Sequence, residues 1–461
     1  MKASFAFLCL LVATICLADP LDDFVKAEMA RSKSPSIAYG IVHKGKLVRH
    51  QVFGKANLEL DAAAKKGDLY EIGSITKQFT AVATMLLVED GKVQLDDPIS
   101  KYLEKSPDVW ASVKISDLLY QTSGLPDYAF EAGIGLVDRY ERSKWMETMA
   151  KVPMDFEPRV AWAYSNSNYA LLGWIIEKAS GKSYTDFMRE RIFKPLAMEK
   201  TTFSDPDAII PRRAAGYLNF QNQVLRSQFS SASINSDGTI LSNIEDMAKW
   251  DAALRERRVL KPGSYEKLFQ PAKLISGRWR PYAMGFNLSL PGAEPYYGHG
   301  GNSAGYSAGY ACFPKAEVSV IVLGNIYAFG GEPLAKQIAE QFMPSLKPTS
   351  PKAQRDPNVN RTDTVKRALA ALGSGKADEA VLEPEVTAPM KTRRAGMSQA
   401  WVPMRNLEKL EFAGETPVGG DRLLTYRVET KTRNFIATIL WSSGGKVAMA
   451  SLRPDGPPKG S

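Results

Sequence analysis

Glu71-Ile72-Gly73-Ser74-Ile75-Thr76-Lys77-Gln78-Phe79-Thr80-Ala81-Val82 is the stretch on which the reading of this 461-residue chain turns. Its apolar spacing predicts a helix from Ser74 to about Glu89, stopped by Gly91. A serine and a lysine three positions apart at a helix start share one face, so the amine can reach the hydroxyl. Free serine is a poor nucleophile, and a lysine partly stripped of water can lose its proton and serve as its base. The helix N-terminus adds positive potential where an oxyanion would form. Spacing alone does not decide the matter, because Ser264-Tyr265-Glu266-Lys267 and Ser443-Gly444-Gly445-Lys446 repeat it. Neither of those opens a long apolar helix, and that context singles out Ser74.

Two further elements follow in order. Tyr164-Ser165-Asn166 precedes a helix expected from Asn168. A phenol beside a lysine can act as general acid and base, and an asparagine amide can orient a substrate carbonyl. Tyr217-Leu218-Asn219 has the same pattern, and in isolation either reads as a core tyrosine near a turn. Gly298-His299-Gly300-Gly301-Asn302 stands directly before a strand expected over 305–313. Its paired glycines suit a tight turn at a strand entrance. They also let a substrate lie against the strand edge, with the Asn302 N–H facing the Ser74 N–H as a two-donor oxyanion hole. His299 alone reads as a structural histidine.

Taken together and in this order, the three elements resemble the active-site signature of the serine β-lactamase and penicillin-binding-protein superfamily: Ser-x-x-Lys, Tyr/Ser-x-Asn and Lys/His-x-Gly. The resemblance covers about 36–342 and includes Asp117-Leu118-Leu119-Tyr120-Gln121-Thr122-Ser123-Gly124-Leu125-Pro126. The tyrosine version is similar to class C β-lactamases, low-molecular-weight D-Ala-D-Ala carboxypeptidases, D-aminopeptidases and family VIII esterases. It implies that Ser74 is the acylated nucleophile, Lys77 its base and Tyr164 the proton shuttle. It also implies that Asn166, His299, Gly300, Gly301 and Asn302 bind substrate. Gln121 stands where this group usually has histidine, and His299 stands where class C β-lactamases carry lysine. A permanent ammonium would attract a substrate carboxylate, whereas imidazole is mostly neutral above about pH 6.5. Peptidase or esterase activity is therefore expected above efficient β-lactam hydrolysis. Preference for a carboxylate-bearing substrate is expected to fade between about pH 6 and about pH 8. The implied function is a serine hydrolase that cleaves a cell-wall-type D-amino-acid peptide first, or a small ester second, without metal or cofactor. The alternative is a catalytically weak penicillin-binding or wall-binding protein of the same fold.

The rest of the pattern predicts an α/β (α+β) fold. Helices are expected at 21–33, 115–120, 168–179, 185–192, 244–255 and 332–343, with strands at 36–42, 47–53, 305–313 and 318–325. Strands at both ends suggest one antiparallel sheet flanked by helices, with an all-helical region between, over 19–345. His43 and His50, in or beside the first hairpin, read as surface histidines without a metal cluster. Pro348, Pro351 and Pro357 punctuate an expected linker at 346–360. A small α+β accessory domain should fill 361–455, with a helix at 364–372 and strands at 407–412, 423–430, 434–441 and 446–452. Trp401 and Trp441 read as its core, and the Arg393-Arg394 pair receives no role.

Residues 1–18 carry the pattern of a signal peptide, with Lys2, an apolar run and small residues at Cys16 and Ala18. Cleavage after Ala18 and a periplasmic or secreted location are expected, with an uncleaved anchor as the alternative. Cys312 then remains as a buried strand thiol. The formal charge is +9. From Lys347 onward there are 19 Lys and Arg against 12 Asp and Glu, so most of the surplus belongs to the end of the chain. That favours peptidoglycan or an anionic envelope surface over nucleic acid as a partner.

Overall fold

The computed structural model describes residues 19–231, 236–393, 399–456 and 459. The leader expected over 1–18 lies outside the described residues. Helix α1 (Pro20–Ser32) starts at Asp19, whose carboxylate accepts from the Leu21 and Asp22 N–H groups. Strands β1 (Ser36–His43) and β2 (Lys46–Asn57) make the expected hairpin. Helices α2 (Thr76–Glu89), α3 (Asn166–Ser180) and α4 (Ile244–Arg255) follow. Strands β3 (Tyr297–Ser303), β4 (Tyr306–Phe313) and β5 (Val318–Gly324) come next, and helix α5 (Gly331–Phe342) after them. The sheet runs Asn287–Leu288, β3, β4, β5, β1, β2, Ala62–Ala63, with every neighbouring pair antiparallel. β5 lies beside β1, so the two ends of this region close one sheet.

Side-chain alternation settles what covers each face. Ile37, Tyr39 and Ile41 of β1, with Val320 and Val322 of β5, pack against Val25 of α1 and Leu334 and Ile338 of α5. Ala38, Val42, Ile321 and Leu323 point the other way, into the core shared by α2, α3 and α4. α2 is buried from Thr76 to Leu87, which explains why its sequence shows no polar face. Its Phe79 stacks on Trp250 of α4 with ring centroids 3.9 Å apart. Truncating such a ring costs about 3–5 kcal/mol. Cys312, on β4, is buried, and burial pushes its thiol up to about 12.

The sequence expectations need two corrections here. The segment 298–302 is not the entrance to a strand but the body of β3, which pairs along its length with β4. Its glycines and histidine gave no β-branched or aromatic signal. His50 is not a surface residue: its side chain is only 10% exposed and lies beside Glu245 of α4. The rival motifs also separate. Ser264 and Lys267 fall in the short Pro262–Leu268 helix, and Tyr217 sits in the Tyr217–Phe220 strand with its hydroxyl accepting from the Leu58 N–H.

Residues 347–358 run without regular structure, and the Gln354 N–H donates to the Phe412 carbonyl. Helices α6 (Val359–Ser374) and α7 (Pro384–Thr392) precede a four-stranded antiparallel meander of β6 (Leu407–Val418), β7 (Asp421–Thr430), β8 (Asn434–Trp441) and β9 (Val447–Pro454). Helix α7 was not expected, because Pro384 and Pro389 obscure its pattern. One face of this small C-terminal sheet covers α6 through Leu424, Tyr426 and Ile439, with Trp401 and Trp441 packed at its margin. The opposite face, with Leu423, Leu440 and Met449, meets Trp279 and Leu290 of the larger region. Arg278 donates from Nε to Asp421 (2.8 Å) and from Nη1 to Glu385 (3.1 Å), while Arg280 Nη2 donates to the Ala448 carbonyl (2.9 Å). Among the described residues, no helix is long and apolar enough to cross a membrane, and no cluster of His, Cys, Asp and Glu is suited to a metal ion.

Candidate active site

Ser74 sits in a 3₁₀ turn, Gly73–Ile75, that leads straight into α2. One helical turn on, Lys77 reaches back with Nζ 3.0 Å from Ser74 Oγ. The same nitrogen donates to Asn166 Oδ1 (2.8 Å) and to the Asp237 carbonyl (2.7 Å). Lys77 is fully buried, and burial pulls its pKa down to about 8 although the Asp237 and Asp127 carboxyls oppose the shift. A neutral amine keeps two N–H bonds. Asn166 and Asp237 can occupy both, which turns the lone pair toward the Ser74 hydroxyl.

Asn166 begins α3, and Asp127 fixes its amide by accepting from the Asn166 N–H (2.8 Å) and Nδ2 (3.0 Å). Burial pushes the Asp127 and Asp237 carboxyls upward in pKa. Tyr128 Oη donates to Asp237 at 2.6 Å. Tyr164 places its ring centroid 4.9 Å from Lys77 Nζ. Its hydroxyl faces Ser74 but closes no well-formed hydrogen bond among the described residues, and burial holds the phenol well above its ordinary pKa. Tyr164 therefore carries its proton at neutral pH. Catalytic contacts of this kind commonly tighten only when substrate arrives.

β3 forms the opposite wall. A Cβ on Gly301 would lie 1.9 Å from the Ile72 carbonyl oxygen, and one on Gly73, at φ +54°, would lie 2.5 Å from the Asn302 nitrogen. Glycine at both positions lets the strand backbone touch the segment that carries Ser74. Gly301 is thus a position where packing requires glycine, beside residues that line the cleft. Gly300 and Asn302 do line it, and Asn302 Oδ1 is held by Ser307 Oγ (2.8 Å) and the Ala328 N–H (3.2 Å). His299 is buried, with Nδ1 donating to the Gly300 carbonyl (2.5 Å) and Nε2 3.4 Å from Tyr282 Oη. Burial pulls its pKa down to about 4. At that pKa the loss of imidazolium expected between pH 6 and 8 moves down to about pH 4.

Ser74, Tyr164, Asn166 and His299 open into one cleft of about 670 Å³. A β-lactamase family model matches residues 21–341. The chain belongs to the β-lactamase family. This β-lactamase-family chain is 30% identical to Penicillin-binding protein 4* of Bacillus subtilis over 309 residues, 61% of this chain and 66% of that protein. It is 27% identical to the D-aminopeptidase of Brucella canis over 73% of this chain and 65% of that protein. The chain thus spans just under two thirds of the length of these curated relatives. Among solved structures, the octameric penicillin-binding protein homologue from Pyrococcus abyssi aligns over 95% of this chain and 96% of its own, with TM-score 0.61 and 23% identity. The D-amino acid amidase from Ochrobactrum anthropi SV3 aligns over 71% and 100%, with TM-score 0.61 and 23% identity. These likenesses establish the fold.

Sequence reasoning missed the groups that hold the β-lactamase-family site in place. Gln121, in the left-handed conformation at φ +61°, accepts from the Ser165 N–H (3.0 Å) and Asn168 Nδ2 (2.5 Å) through Oε1. It splints the segment that carries Tyr164. Asp127 directly follows the quoted 117–126 stretch, and its place next to Leu125-Pro126 at a helix start was a usable signal. Asp237 had none, since it acts on Lys77 through its backbone carbonyl as well as its charge.

Proposed function

We propose that this protein is a serine hydrolase that forms an acyl-enzyme on Ser74 and acts on small amides, with D-amino-acid amides or peptides first and small esters second. One observation carries the reading: the buried Lys77 nitrogen, with a pKa of about 8 and two fixed acceptors besides Ser74. In the acylation step Ser74 Oγ bonds to the substrate carbonyl carbon as its proton passes to Lys77. The Ser74 and Asn302 N–H groups receive the oxyanion. Tyr164 hands its proton to the leaving nitrogen or oxygen as that bond breaks, and recovers one through Lys77. Water then adds to the ester carbonyl by the reverse relay, releasing the acid and restoring Ser74.

The cleft's charge supports neutral or cationic substrates. Asp138, Asp237 and Glu332 line it, and no Lys or Arg appears among its described lining residues. With His299 neutral, no side chain among those described lining residues offers a counter-charge to a substrate carboxylate. The names of the Brucella D-aminopeptidase and the Ochrobactrum amidase agree with this reading. Export by the 1–18 leader and contact of the basic C-terminal domain with peptidoglycan or an anionic envelope surface belong to the same proposal. Salt-sensitive sedimentation with isolated peptidoglycan or with anionic vesicles tests the latter, and binding that ignores salt refutes it.

The decisive experiment treats the protein with a fluorophosphonate and a fluorescent penicillin beside Ser74→Ala. Labelling at Ser74 is expected, and absence of labelling by both reagents overturns the hydrolase reading. A panel of D-alanine amide, D-Ala-D-Ala, a p-nitrophenyl ester and nitrocefin then ranks the substrates, with the amide expected above the carboxylate-bearing dipeptide and nitrocefin.

A further inference from the structure

The side chain of Tyr164 belongs to the cleft, but its main chain is held from the C-terminal domain. Arg393, at the end of α7, donates from Nη2 to the Tyr164 carbonyl oxygen (3.0 Å) and from Nε to Asp155 Oδ2 (2.8 Å). The neighbouring Thr392 Oγ1 donates to the Asp155 carbonyl at 3.1 Å. Asp155 is itself fixed: its side chain is 2% exposed and its N–H donates to the Gly124 carbonyl (2.8 Å). Ala388 of α7 packs on Phe156, Ala161 and Ala163, inside the same loop. On the loop's other side, the Arg159 N–H donates to Thr122 and the Ala163 N–H to Gln121. The ten residues 155–164 are thus clamped between the 121–124 segment and a helix contributed by the small domain.

Helix α7 works as a brace between two anchors. Near its start, Glu385 receives Arg278; at its end, Arg393 reaches Tyr164. A planar guanidinium satisfies the Asp155 carboxylate and the Tyr164 carbonyl in one pre-organised fork, whereas an ammonium on a flexible stem is a point charge without that fixed geometry. Losing that fork leaves a partly buried carbonyl and a buried carboxylate short of a partner. The Arg278 and Arg280 contacts would still keep the domain docked.

We propose that Arg393 is a positioning residue for Tyr164, and that the C-terminal domain completes the active site by fixing the backbone from which that phenol reaches Ser74. The inference rests on the hydrolase reading of Ser74. It assigns the accessory domain a part in the chemical step, distinct from any contact it makes with wall polymer or membrane.

The test uses full-length Arg393→Ala and Arg393→Lys, with Arg422→Ala as control, since Arg422 is exposed and pairs with Glu415 inside the small domain. Ser74 labelling rates with the fluorophosphonate, and kcat and KM on the best amide or ester, are read beside thermal unfolding. Arg393→Ala is expected to lose about 10- to 100-fold in kcat and labelling rate, the scale of an approximately 1 Å misplacement of a catalytic group. KM should hold and the melting temperature should fall only slightly. Arg393→Lys is expected to be intermediate, millimolar guanidinium to restore part of the loss in Arg393→Ala, and Arg422→Ala to match the wild type. Wild-type kcat in either folded Arg393 variant overturns the inference. So does a loss in Arg393→Ala that follows its unfolded fraction while folded Arg393→Lys is fully active. A wild type that is not labelled at all removes the hydrolase reading and this inference together, whereas a labelled wild type with an equally fast Arg393→Ala removes only the latter.

Discussion

Lys77 and His299 stand on opposite walls of one cleft, both buried and both pulled down in pKa by the loss of water, yet they end in different chemical states. Lysine starts high, and the Asp237 and Asp127 carboxyls offset part of its fall, so Lys77 comes to rest at about 8, where it can both take and give a proton. Histidine starts near neutrality. The Gly300 carbonyl and Glu332 resist its fall, Lys77 adds to it, and His299 at about 4 is a neutral hydrogen-bonding group in the whole working range. Equal burial therefore makes one wall a base and the other an uncharged surface.

Removing the reacting pair should have the largest effect. Ser74→Ala is expected to abolish covalent labelling and to cut turnover by about 10⁴-fold or more. Lys77→Ala, measured as the labelling rate of Ser74, should lose about 10²- to 10⁴-fold. Tyr164→Phe keeps the ring against His299 and removes only the proton it passes, so kcat should fall by about 10²-fold with little change in KM. Next in size is a displacement along the pH axis. Acylation should rise with pH through about 8, as the Lys77 ammonium becomes the amine, and then level off. Asp237→Asn removes a carboxyl that favours the ammonium, so the midpoint should move down, by about one unit, in a pH–rate profile of labelling. Smallest is the far wall. His299→Lys should raise labelling by a carboxylate-bearing penicillin relative to a neutral ester by about fivefold, for an ion pair worth ~1 kcal/mol. The wild-type ratio should stay flat from pH 6 to 8, and a slope there would mean that His299 titrates after all.

The near wall was legible in the sequence because its geometry is local. Ser74 and Lys77 lie one helical turn apart, and the helix that joins them announces itself through twelve buried positions. The sheet was legible for the same reason at β1, β4 and β5, whose apolar runs are dense, but not at β3, where glycines replace the branched residues that mark a strand. Physical environment is what the sequence withheld. Nothing in the triplet His299-Gly300-Gly301 tells how far burial will move the imidazole, or that Gly301 packs against the Ile72 carbonyl. Arg393 was noticed only as half of a charged pair, since one of its two partners is a backbone carbonyl 229 positions away, without sequence signature, and the other a carboxylate as distant in the chain. Asp237 stayed hidden likewise, its carbonyl contributing to Lys77 what its side chain does not.

One residue with no part in the chemistry supplies a clock for the sheet. In a chain cut after Ala18, Cys312 is the sole thiol, enclosed on β4 beside the strand that carries His299. Because it is buried, a disulfide reagent can reach it only while β4 is uncovered, and the same burial, which pushes its pKa up to about 12, leaves almost no thiolate until then. The rate of colour release from such a reagent then counts how often the strand layer opens. The same release, followed with an acyl group on Ser74, reports whether a loaded site slows that breathing.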